Sequence, residues 1–154
     1  MAGEAPTVLH HEHRQLLRQL RHAAWMPGPT GALAARLRVL LAAHLEREET
    51  AVLPLLRLLR SLADAAALWP AEADALTAEF ARVFPRLLAD HAQLTGATAE
   101  LQEAAAWDGC LELLELAAAV ERHVRLDVEV VYPAVRFLVQ AAQGVASPLT
   151  ARAR

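Results

Sequence analysis

The chain has 154 residues, 55% of them hydrophobic and only 5% aromatic, with a net charge of −3 and a pI near 6.1. That length suits one domain with a substantial core, and the charge offers no basic footprint for nucleic acid. Ala, Leu, Arg and Glu dominate and Ile is absent, a composition that favours helices over sheets.

A single cysteine, Cys110, excludes an internal disulfide and a cysteine-rich zinc motif, and fits a reduced, cytoplasmic setting. The opening MAGEAPTVLHHEHRQ has no basic segment and no unbroken apolar run, so a signal peptide is not expected. No stretch of about 18 apolar residues escapes a charge or a proline, so no membrane span is expected either.

Apolar residues recur at helical spacing along the chain. The first helix is expected from about Thr7, as N-cap, to Trp25; its inward stripe is Leu9, His13, Leu16, Leu17 and Leu20. MPGPTG (26–31) then breaks the chain. The second helix should run from about Thr30 to Asp64 with a kink at Pro54, and its stripe reads Leu37, Leu40, Leu41, His44, Glu48, Val52, Leu55 and Leu59. After the connection ALWPAEAD (67–74), a third helix is expected from about Ala71 to Ala106, bent at Pro85, with Phe80, Phe84, Leu87, His91, Leu94 and Leu101 inward. WDGC gives a turn in which Asp108 could cap a fourth helix ending near Gln143. Its stripe is Leu116, Val120, His123, Asp127, Val130, Ala134 and Phe137. Residues 141–154 form a slightly basic tail expected to fray. Four long helices with short connections predict an all-α, up-down-up-down antiparallel four-helix bundle, one domain over 1–154 with its core at about 7–140.

The two halves echo each other. EHRQLLRQL (12–20) resembles DHAQLTGAT (90–98), and HLEREETAVLP (44–54) resembles HVRLDVEVVYP (123–133). His44 follows His13 by 31 residues, His123 follows His91 by 32, and a proline stands ten residues after each second histidine. Each helix thus sends one histidine inward, and two add a carboxylate one turn later. Burying four imidazoles and two carboxylates without partners would be very costly, and a purely ion-paired network rarely outperforms an apolar core. A metal centre is the better explanation, since imidazole with carboxylate suits iron, manganese or zinc and i, i+4 spacing puts both donors on one helix face. Glu-x-x-His, the ferritin-type carboxylate motif, does not occur.

On EHR around His13, HLEREETAVLP, DHAQL around His91 and HVRLDVEVVYP, the chain resembles the hemerythrin-like (HHE cation-binding) family over roughly residues 7–140. The resemblance implies a four-helix bundle holding a non-haem di-iron centre, oxo- or hydroxo-bridged, that binds dioxygen or related small ligands. It implies metal ligands His13, His44, Glu48, His91, His123 and Asp127. His13 and His44 would serve one iron, His91 and His123 the other, and Glu48 and Asp127 would bridge. Oxygen-carrying members have a further histidine one turn before the third-helix ligand; here that position is Leu87.

The remaining polar groups read more plainly. His10 lies at the edge of the stripe, in a solvated first turn or as an extra donor. His11 and His22 point away from His13, Glu129 rotates away from the core, and Glu46 and Glu121 read as solvated face. Glu49 is solvated face or a support for a ligand. Trp25, Trp69 and Trp107 are expected to pack at helix ends, and Cys110 to be inert packing.

The function expected from these features is binding or sensing of dioxygen, nitric oxide or redox state at two iron ions, with manganese or zinc as substitutes. The alternatives are a di-iron enzyme acting on peroxide or ferrous iron, and a metal-storage or structural bundle. The partner is then a small diatomic ligand or peroxide, with neither nucleic acid nor membrane involved.

Overall fold

The structure, a computed structural model, describes residues 5–64 and 72–145. Among them all regular structure is helical: α1 (Ala5–Ala23), α2 (Pro29–Ala51), α3 (Leu53–Asp64), α4 (Glu72–Trp107), α5 (Leu111–Leu126), a π-turn (Asp127–Val131) and α6 (Tyr132–Val145). Helix α1 packs on α2, α2 on α4, α4 on α5, and α5 back on α1, which closes an all-α bundle. Beyond it α3 packs against α4 and α6. No helix among the described residues is long and apolar enough to cross a membrane.

The connections follow local chemistry. Pro29 opens α2 in the first helical turn, where its missing N–H has no helical partner to lose. Gly31 is needed because a Cβ there would lie 1.9 Å from the Met26 carbonyl oxygen. Gly109 turns the chain between α4 and α5 with φ +65°, a conformation that costs other residues more. The Thr30 hydroxyl donates a hydrogen bond to Asp108, so these two connections meet at one end of the bundle.

Several expected boundaries move. Helix α1 is already running at Ala5, so Thr7 lies inside it rather than capping it, and it stops at Ala23. Asp108 does not cap α5; Cys110 holds that position without a side-chain cap bond, while Asp108 is engaged by Thr30. Helix α4 continues through Pro85, whose ring lies on the exposed side. Trp25 and Trp107 are 84% and 91% exposed and pack no helix end. Trp69, the expected start at Ala71 and the tail beyond 145 lie outside the described residues.

The two repeated prolines are handled differently. Proline has no N–H to close an α-turn. Before Pro54 the helix breaks at Val52 (φ −101°, ψ −51°), although Val52 N–H still reaches the Glu48 carbonyl at 2.8 Å and Leu56 N–H the Val52 carbonyl at 3.1 Å. Before Pro133 the chain widens instead, and Tyr132 N–H bonds the Asp127 carbonyl five residues back. That π-turn accommodates one extra residue. It corrects the expected stripe: Val130 and Phe137 are exposed and Ala134 is only half-buried, while Val131, Val135 and Leu138 are buried in their place.

Among the described residues, burial is organised into two apolar clusters. One joins Leu16, Leu20, Leu41, Leu94, Leu101 and Val120 with their neighbours. The other joins Leu9, Val52, Leu53, Leu87, Val131 and Val135 with theirs. Between them, each of the four bundle helices places one histidine: His13 after Leu9, His44 after Leu41, His91 after Leu87, His123 after Val120. The polar groups therefore form a layer sealed by leucine and valine on both sides.

Candidate metal centre

The layer holds His13, His44, Glu48, His91, His123 and Asp127, all between 0% and 6% exposed. His44, Glu48, His123 and Asp127 each offer an atom within 4.8 Å of the others, and this buried group could hold a metal ion. The four histidines aim their Nε2 atoms at the two carboxylates. His13 Nε2 lies 3.6 Å from Glu48 Oε2, and His91 Nε2 lies 3.3 Å from Asp127 Oδ2. His44 Nε2 faces both, at 3.8 Å from Glu48 and 3.6 Å from Asp127. His123 Nε2 also faces both, at 3.6 and 3.4 Å.

These spacings suit shared coordination better than hydrogen bonding. Two ligands held about 2.0–2.2 Å from one ion stand about 2.8–3.6 Å apart, from octahedral to tetrahedral angles. Good N–H···O bonds cluster near about 2.9–3.0 Å. The satisfaction of these atoms points the same way. His13 Nε2, both ring nitrogens of His44 and of His123, His91 Nδ1, Glu48 Oε1 and Asp127 Oδ2 are buried with no hydrogen-bond partner. Such orphans are rare in folded proteins and each needs an explanation. A cation bound by this imidazole and carboxylate set supplies one.

Electrostatics keeps the imidazoles ready to bind. Burial pushes His123 down to about 4, and burial also lowers His13, against an opposing hydrogen bond to Glu49. Neutral imidazole is the form that ligates metal. Burial and the nearby Asp127 raise Glu48 well above the usual carboxylate range. Burial pushes Asp127 up too, but His44 and His91 outweigh it and hold Asp127 below its ordinary value. Two carboxylates sharing one site divide in this way when no cation neutralises them.

A second tier of residues positions the first. Glu49 Oε1 lies 3.2 Å from His13 Nδ1, which leaves Nε2 as the free donor. His10 contacts the same Glu49 oxygen at 3.0 Å with its side chain 43% exposed, so it sits outside the central layer. Asp90, held by Arg47 at 2.6 Å and Arg86 at 3.2 Å, stands 3.9 Å from His44 Nδ1. Tyr132 places its hydroxyl 3.3 Å from His91 Nε2, with its ring stacked on the imidazole at 5.2 Å and 7°.

All six expected donors thus lie in one buried layer, but their ring neighbours cross the pairs that the resemblance implies. His13 adjoins His123 at 5.1 Å between centroids, and His44 adjoins His91 at 4.7 Å. His11, His22, Glu46, Glu121 and Glu129 are exposed, as expected. Cys110 is half-buried at the start of α5. Sequence reasoning missed two residues. Asp90 adjoins His91 and was hidden because it falls off the apolar stripe. Tyr132 follows His123 by nine positions, which at about 100° per residue is the opposite face of an α-helix. Its one signal was being the sole tyrosine in the chain, immediately before a repeated proline.

Neither a family model, nor a curated protein, nor a solved structure matches this chain.

Proposed function

We propose that this chain is a di-iron protein of hemerythrin-like type, with an up-down-up-down antiparallel bundle, that binds or senses a small ligand such as dioxygen or nitric oxide. One observation carries the reading: the donors fall into two overlapping sets. His44 and His123 face both carboxylates, while His13 faces only Glu48 and His91 only Asp127. The central quartet would suffice for one tetrahedral ion. His13 and His91 extend it in two directions, which supports two ions sharing Glu48 and Asp127.

A bound iron pair would supply the electrons and the electrophilic centre that such ligands need. The chain's own residues do the rest. The two apolar clusters keep bulk water away, Glu49 fixes the tautomer and aim of His13, and Arg47 and Arg86 hold Asp90 beside His44. Leu87, fully buried where oxygen carriers have a fifth histidine, favours sensing over reversible oxygen carriage.

Metal analysis of freshly purified protein, with its visible spectrum, tests the proposal. About two iron ions per chain are expected from six inward N/O donors. Glu48→Ala and Asp127→Ala should each lose at least one ion, while His22→Ala keeps both. A single tightly held zinc from iron-replete cells would overturn the di-iron reading.

A further inference from the structure

The wide turn at Asp127–Val131 has a consequence for the centre itself. On a regular helix Tyr132 would point away from the histidine layer; after the π-turn it is 2% exposed, among Leu87, Val131 and Val135. Its hydroxyl comes as close to His91 Nε2 as Asp127 Oδ2 does, 3.3 Å in each case. Two oxygens, from Asp127 and Tyr132, therefore converge on His91 Nε2. The matching residue in the first half, Leu53 before Pro54, is buried and apolar. The His13 side has no phenol; there the extra polar neighbour is Glu49, on the outward Nδ1.

We infer that Tyr132 is a further metal ligand, supplying a phenolate oxygen to the ion on the His91 side. The proposal rests on the di-iron reading above. Binding breaks the O–H bond heterolytically: the proton leaves for solvent and the oxygen lone pair forms the bond to a trivalent iron ion. No oxidation state changes in this step, and proton release on binding is usual for protein ligands. The π-turn then has a function, since it alone brings the oxygen round to the imidazole layer.

The chain contains one tyrosine, so any tyrosinate signature must come from Tyr132. Iron-loaded protein, made with ordinary and with ring-deuterated tyrosine, would be measured by visible absorption and resonance Raman scattering, alongside its iron content. A phenolate-to-iron charge-transfer band is expected, with ring modes that shift on deuteration and vanish in Tyr132→Phe. Iron bound without those modes would overturn this assignment and leave the di-iron reading standing. Failure to bind iron at all would overturn both. The wild-type measurement decides even where Tyr132→Phe does not fold.

Discussion

Stripping the metal from the loaded protein should lower its melting temperature by an amount that the geometry bounds. Among the described residues nine buried side-chain atoms lack hydrogen-bond partners, and all but Thr98 Oγ1 belong to the histidine and carboxylate layer. Five of them, His13 Nε2, His44 Nε2, His123 Nε2, Glu48 Oε1 and Asp127 Oδ2, are potential metal ligands. An unsatisfied buried group costs about 1–3 kcal/mol. At the lower figure the five together cost about 5 kcal/mol, comparable with the whole stability of a small-stability domain. For a domain of this size each kcal/mol moves the melting temperature by about 2–4 °C, so removal should lower it by about 10–20 °C. Calorimetry or far-ultraviolet circular dichroism on iron-loaded and chelator-treated protein, with metal content measured on both, reads the difference. A shift below about 3 °C with metal demonstrably removed would refute the reasoning, because the layer would then be satisfied without a cation.

Three further outcomes follow from particular contacts. Glu49→Ala frees the ring of His13 and should weaken metal binding by about 10- to 100-fold, as loss of an orienting partner does elsewhere; competition with a chelator measures it. Leu138→Ala should cost about 2–5 kcal/mol and Phe137→Ala less than about 0.5 kcal/mol in urea unfolding, whereas an unbroken α-helix would reverse that order. Metal-free Glu48→Gln should lose stability as the pH falls from 6.5 towards 4. The unfolded His123 takes its proton near 6.5 and the folded one only at about 4, so about 3 kcal/mol disappears across that window. The substitution removes the raised Glu48 carboxyl, whose contribution runs the other way, being lost as the pH rises. A flat urea midpoint from pH 7 to 4 would contradict this.

The helical period and the composition determined that the chain is helical, and they placed His13, His44, Glu48, His91, His123 and Asp127 inward. They could do so because each helix is regular up to those residues, and a 3.6-residue period carries side-chain direction faithfully along an unbroken turn. Beyond the carboxylates the period failed. Both repeats carry a proline at the same offset, and a missing N–H says only that the α-ladder is interrupted there. Whether the chain breaks, as at Val52, or widens, as at Asp127–Val131, is decided by what the following segment packs against. Leu53 and Leu55 fit the apolar cluster around Leu9 and Leu87 after a break; Val131, Val135 and Leu138 fit it only after one extra residue. That tertiary choice turned Phe137 out to solvent and brought Tyr132 in to His91. The distances between helices were likewise invisible in one dimension. Asp90 beside His44, Glu49 behind His13, and the crossing of ring neighbours all depend on how α1, α2, α4 and α5 pack around the histidine layer, which no single helix's own pattern encodes.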